Sequence, residues 1–173
     1  METTLLPPDV AVRWIDALSP LLAAERAFSG CSLRAAARAD EGRLFALHRH
    51  ALRAYVDATW GWNDAWQRAY FSDHYAASRN ALVMRDADDA MIGRVSLSRH
   101  WRKIFLRDIE LVATERNRGL GSALIRAVLA LARESDKAVE LLVLDCNPAR
   151  HLYRQLGFET VSDDGARSRM RAA

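Results

Sequence analysis

Apolar positions along this 173-residue chain change period several times, and each change marks an element. Between Asp9 and Phe28, the residues Val12, Ile15, Leu18, Leu21, Leu22 and Phe28 give the stretch one helical packing face. Ser19 as a cap and Pro20 at a first helical position divide it into two short helices. "SLRAAARAD" reads as the first strand, and from Glu41 to about Thr59 the spacing of Leu44, Leu47, His48, Leu52, Tyr55 and Val56 predicts a helix. The aromatic-rich "YVDATWGWNDAWQRAYF" overlaps its end. There Trp66, Tyr70 and Phe71 sit at helical spacing, which predicts core packing on at least one face.

Farther along, the period shortens to that of strands. "NALVMRD" and "MIGRVSLSR", separated by the acidic turn "DADDA", read as a hairpin. "KIFLRDIELVA" is the next strand, "LGSALIRAVLALARES" a strong helix, and "AVELLVLD" an apolar run suited to a central strand covered on both faces. "PARHLYRQLGF" reads as a helix ended by Gly157, and "ETVSDDGARSRMRA" as a last hairpin about its DG turn. The order implies an α/β fold: a mixed sheet with helices on both faces. Residues 1–30 form a helical N-terminal extension and 31–173 the domain proper. The apolar face of the extension docks on its own domain or serves a homodimer contact.

Composition changes this picture little. Hydrophobic residues at 50% and charged residues at 27% belong to a folded globular domain. A net charge of +3 favours an anionic ligand but is too small to argue for nucleic acid. Cys31 and Cys146 lack the spacing of a disulfide scaffold or a metal pair and read as reduced thiols. No apolar run approaches the roughly 18 to 20 residues that cross a bilayer. "METTLLPPDVAVRW" lacks the features of a secretion signal. No membrane partner is expected, and a cytoplasmic location is.

The candidate chemistry begins at "ERNRGLGSALI". Amides at a helix start are unpartnered and the peptide dipoles add positive charge there; Gly119 and Gly121 clear side chains away, and Arg116 and Arg118 add charge. The stretch is an anion cradle. It is not a P-loop, because Ser122 and Ala123 follow Gly121 with no lysine. Leu124 occupies the third position of the dinucleotide fingerprint, where glycine or alanine belongs, although Asp145 ends the next strand where an acid could meet a ribose.

"RNRGLG" fits a third template: Arg or Gln, two residues, Gly, any residue, Gly, between a strand and a long helix. With "NPARHLYRQLGFE" and "WGWNDAWQRAYF" downstream and upstream of it, the chain from about Ser32 to Met170 resembles the GNAT family of N-acetyltransferases. Asn117 stands where many relatives carry glycine and Thr114 where they carry proline; Asn tolerates positive φ, so the loop survives. The resemblance implies a GNAT-like (acyl-CoA N-acyltransferase) fold with a mostly antiparallel central sheet, and acetyl-CoA as the acetyl donor. It implies that Arg116, Asn117, Arg118, Gly119, Leu120, Gly121 and Ser122 hold the pyrophosphate. It implies further that the backbone of Ile109, Glu110, Leu111 and Val112 flanks the pantetheine arm, and that Asn147 and Tyr153 complete the cofactor site.

The implied reaction is direct attack by a primary amine, of a small molecule or a peptide, on the thioester. Tyr153 matches the family's usual general acid. Glu110, on the strand leading into the loop, is the candidate base, directly or through water; Asp108 alternates onto the same face, and a salt bridge to a nearby arginine is the competing use of either. Trp60 and Trp62, beside Gly61, are candidate walls of the acceptor pocket. His48 and His50 lie two apart, on different faces of a helix, so no metal site is expected. The alternative function is a non-catalytic sensor of acyl-CoA, or an interaction module.

Overall fold

The computed structural model describes residues 9–173, with side chains from Trp14 onward. Val12 and most of the segment read for a secretion signal lie outside the described side chains. The elements are α1 (Asp9–Ala23), β1 (Cys31–Ala35), α2 (Glu41–Trp60), α3 (Asp64–His74), β2 (Asn80–Arg85), β3 (Ala90–Arg99), β4 (Lys103–Leu111), α4 (Leu120–Glu134), β5 (Ala138–Leu144), α5 (Ala149–Gln155), β6 (Glu159–Asp163) and β7 (Arg167–Ala172). The strands form one sheet in the order β1-β2-β3-β4-β5-β7-β6. Every neighbouring pair is antiparallel except β4 and β5.

Strand alternation sorts the apolar side chains onto two faces. Ala81 and Val83 of β2 join the larger core, with Leu18 and Leu22 of α1, Leu124 and Val128 of α4, and Leu106 and Leu141 of the sheet. Leu82 and Met84 point the other way, into a smaller core with Leu44 and Phe45 of α2 and Phe71 of α3. Helices therefore cover both faces, as the element order requires.

Three local expectations change. The N-terminal stretch is one helix with Pro20 inside it, followed by a single turn at Arg26–Phe28. Ser19 is no cap: its hydroxyl donates to the Ile15 carbonyl at 2.8 Å. Leu18 and Leu22, on either side of Pro20, are both fully buried. Burial of two leucines, about 1.5–3 kcal/mol each, offsets the roughly 3 kcal/mol that an internal proline costs. Strand β1 stops at Ala35, because Asp40 pulls the chain away: it pairs with Arg34 at 2.9 Å and accepts from the Ala37 amide at 2.8 Å. In α3 only Phe71 is buried; Trp66 and Tyr70 are exposed and stack on each other, with Tyr70 also on His74.

Two irregularities in β4 prepare the site. Its parallel ladder with β5 runs only from Lys103–Leu106 against Ala138–Leu141, so the later halves of both strands separate. Against β3, the register shifts so that Ser96 faces Asp108 while Leu97 faces Leu106, leaving Arg107 as the extra residue of a bulge.

Candidate active site

Where β4 and β5 part, a cavity of about 570 Å³ opens. Ile109 and Leu111 of β4 form one wall, and Asn147, Leu152 and Tyr153 the opposite one. Arg116, Asn117, Gly119, Gly121 and Ser122 close one end. Leu52 and Tyr55 of α2, three apart on the helix, cover the space; the sequence reading gave them only an apolar face.

The loop has the backbone its sequence foretold. Asn117 and Gly119 sit at φ 59° and 85°, in the left-handed region that asparagine tolerates and glycine adopts freely. Gly121 carries a separate message. Its φ is not positive, and a Cβ there would meet nothing nearer than Leu152 Cδ2 at 3.9 Å. Neither backbone nor packing demands a glycine, which costs a helix about 0.5–1 kcal/mol relative to alanine. Its missing side chain leaves the unpartnered first-turn amides of α4 open to the cavity, the cradle that a pyrophosphate fits.

Of the other expected cofactor contacts, Arg116 lines the cavity and is steadied by a hydrogen bond from its Nε to the Leu111 carbonyl, 3.0 Å. Asn147 accepts from the Ala149 amide at 2.9 Å and so starts α5 at the cavity edge. Three residues do not line the cavity. Arg118 turns to Glu115 at 2.7 Å, Leu120 is buried in the core, and the Val112 amide is already donated to Ile92 at 2.9 Å. Leu120 retains only a backbone contribution. Trp60 and Trp62 are also displaced: Trp60 is 59% exposed at the end of α2, and Trp62 packs on the smaller core with its Nε1 on Asp64. Neither lines this cavity.

Glu110 faces the cavity, yet it is buried and fully engaged. Arg94 Nε donates to its Oε2 at 2.6 Å, and His48 Nδ1 lies 2.7 Å from its Oε1. Burial pushes this carboxyl up, but the Arg94 charge and the His48 hydrogen bond outweigh it and hold the group at about 2. A carboxylate so reluctant to bind a proton is a poor direct base, because a general base works best with a pKa near the working pH. Both carboxylate oxygens are thus engaged in the ion pair and hydrogen bond, the competing use expected for this residue. Asp108 is tied to the same guanidinium at 3.1 Å.

Arg94 and His48 complete this cluster, and neither is among the site residues expected from the sequence. The signal for Arg94 was a lone charge inside the apolar run "MIGRVSLSR", since an arginine so placed needs a buried carboxylate. His48, Asp108 and Glu110 approach each other closely enough to suit a cation, but the Arg94 guanidinium already brings that positive charge. The Glu110 contact is shorter than the 3.3 Å from His48 Nδ1 to Arg94, so Nδ1 is the nitrogen that donates to the carboxylate.

Tyr153, half-buried, packs edge-on against Phe158 with ring centroids 5.7 Å apart. Burial, then the charges of Asp108 and Glu110, push its hydroxyl up to about 12. The phenol therefore remains a donor at neutral pH. Asp145 is paired with Arg150 at 2.8 Å and accepts from Ser168, so it is not the free acid that a ribose would need.

The fold and this loop define an acyltransferase-like domain, and comparison with known proteins narrows the class. The model of the Acetyltransferase (GNAT) family matches residues 44–158, and the chain belongs to that family. It is an acetyl-CoA-dependent N-acetyltransferase. No curated protein matches it in sequence. Among solved structures, it is similar to a Thermoplasma acidophilum PaiA N-acetyltransferase in complex with coenzyme A, at 16% identity and TM-score 0.64, covering 82% of this chain and 97% of that one. A Streptococcus agalactiae acetyltransferase gives 16% and 0.62, with coverage of 83% and 98%. Arabidopsis thaliana Naa50, in complex with the bisubstrate analogue CoA-Ac-MVNAL, gives 17% and 0.58, with coverage of 83% and 99%. At such identities these three support the fold. No helix among the described residues is long and apolar enough to cross a membrane.

Proposed function

We propose that the protein acetylates a primary amine by direct attack within the cleft between β4 and β5, with Tyr153 serving the leaving group. The observation that carries this reading is that the anion loop, Tyr153 and Glu110 border one continuous cavity. Acetyl-CoA supplies an acetyl group activated as a thioester.

The amides from Leu120 to Ser122, with Arg116 beside them, hold the pyrophosphate. Ile109 and Leu111 flank the arm, and the edge of β4 released from β5 offers a backbone amide to the thioester oxygen as negative charge gathers there. The amine nitrogen forms its bond to the carbonyl carbon, and the carbon–sulfur bond breaks. Tyr153 donates its proton to the departing sulfur. His48, oriented through Nδ1 by Glu110, accepts the proton that the amine loses at Nε2, directly or through water.

The test combines calorimetry with thiol release over a panel of amines. Tyr153→Phe is expected to bind acetyl-CoA as the wild type does while turnover falls by on the order of 10- to 1000-fold, as for loss of a general acid. Undiminished turnover in that variant would remove Tyr153 from the mechanism. Coenzyme binding without thiol release from any amine would favour a sensor instead.

A further inference from the structure

On the far side of the Arg94 cluster lies a second cavity, of about 70 Å³, bordered by Phe71, Tyr75, Arg79, Arg94, Arg107 and Asp108. Arg94 stands between the two spaces: its buried guanidinium pairs with Glu110, which lines the larger cavity, and with Asp108, which lines the smaller. Arg107 and Asp108 are neighbours on a strand and would ordinarily face opposite sides of the sheet. Both face this cavity because Arg107 is the extra residue of the β3–β4 bulge, a device that re-aims a side chain beside a site.

The two outer arginines are uncompensated. Neither Arg79 nor Arg107 has a carboxylate within ion-pairing distance among the described residues. Asp108, adjacent to Arg107 in sequence, is bound to Arg94 at 3.1 Å. Arg79 is half-buried; burial and the charge of Arg107 lower its pKa. His100 is lowered too, by burial and then by Lys103, Arg79 and Arg107. Three other polar groups of the pocket are engaged within the fold, with His74 Nδ1 lying 2.8 Å from the Tyr70 carbonyl. Tyr75 donates to the Ala37 carbonyl at 2.7 Å, and Asn80 bonds both Ala76 and Arg94. Two guanidinium groups that border one polar recess, Arg79 half-buried and Arg107 exposed, and that feel each other's charge, are a receptor for an anion.

We infer that the amine acceptor carries an anionic group, a carboxylate or a phosphate, which Arg79 and Arg107 hold while its amine lies near His48, Glu110 and Asp108. The inference rests on the acetyl-transfer reading and narrows its substrate. Arg107 and Glu110 are three positions apart on β4, about 10 Å along the strand. With an arginine side chain reaching back, that span accommodates an amino acid or a short aminoalkyl phosphate.

The experiment measures thiol release from acetyl-CoA with three amines on one carbon skeleton: an amino acid, the amine left by its decarboxylation, and the matching aminoalkyl phosphate. Wild type, Arg79→Gln and Arg107→Gln are compared, with calorimetry of acetyl-CoA as the control. The anionic amines are expected to exceed the uncharged one in kcat/KM by about 10- to 100-fold, the scale of a hydrogen bond to a charged group. In either variant that preference is expected to shrink at least tenfold, through the anionic substrates alone, with coenzyme affinity unchanged. Whichever anion gains more identifies the group recognised. Equal or better turnover of the uncharged amine by the wild type, or a preference undiminished in both variants, would overturn the inference while leaving acetyl transfer standing. Coenzyme binding with no thiol release from any amine would overturn both.

Discussion

Replacing Glu110 by glutamine tests whether this carboxylate is a structural ion-pair member rather than a direct base. Its side chain is buried between Arg94 Nε at 2.6 Å and His48 Nδ1 at 2.7 Å. Burial alone would raise its pKa; Arg94 and His48 reverse that and hold it at about 2, against an ordinary 4.5. That gap corresponds to roughly 3 kcal/mol. Because the folded value is the lower one, the stability is fully present above about pH 4.5 and is lost as pH falls toward 2. Removing one member of a buried pair costs a similar amount, about 3–5 kcal/mol, since Arg94 stays buried with only Asp108 to balance it. For a chain of this size, Glu110→Gln should melt on the order of 6 to 20 °C below wild type at pH 7. The gap between the two melting curves should shrink by more than half on acidification to pH 3. Thermal melts from pH 7 to pH 3, with urea titration at each end, measure both effects. A variant that melts with the wild type at pH 7, or a difference unchanged down to pH 3, would refute the assigned role.

Two glycine substitutions separate folding from binding. For Gly121→Val, the space toward Leu152 and the ordinary helical backbone predict stability within about 1 kcal/mol of wild type. Acetyl-CoA affinity should fall at least about tenfold because the side chain covers the helix-start amides; calorimetry and urea unfolding together check this. Gly93→Ala should do the opposite first. Its Cβ would stand 2.6 Å from the Glu110 carbonyl oxygen, a backbone atom that cannot swing aside, and overpacking of this kind costs about 1–3 kcal/mol. Urea midpoints are expected to show that loss, with weaker coenzyme binding as β4 shifts at Leu111.

The parts of the molecule visible in the sequence are those set by local pattern. The helix from Leu120 to Glu134, the apolar strand β5 and the DG hairpin follow from period and turn chemistry, and the loop from its two glycines and Asn117. What escaped depends on contacts between distant residues. Pro20 inside α1 is tolerated because Leu18 and Leu22 bury themselves on the domain, a tertiary gain that a capping rule cannot weigh. Trp60 and Trp62 looked like pocket walls beside a flexible glycine, but α2 presents Leu52 and Tyr55 to the cavity instead. For His48, helical spacing offers only a place on the face of α2 and no metal partner in His50. Its actual partner, Glu110, lies 62 residues away, across the sheet.

Both features that make the site arise at one rung of β4. After Leu106 the strand loses its partner β5, and at Arg107 it gains a residue relative to β3. The first interruption opens the cleft and frees a backbone edge to meet the thioester. The second puts Arg107 on the same side as Asp108 and Glu110, setting anion-binding charge beside the acid cluster. A continuous ladder would pair more backbone groups, yet it would close the cleft and turn Arg107 toward the opposite face. The interruption survives because the sheet immediately before it is held firmly: Leu106, Leu141 and Leu124 are at most 2% exposed. Rigid packing up to Leu106 and broken pairing beyond it let the site hold its geometry without being filled by its own sheet.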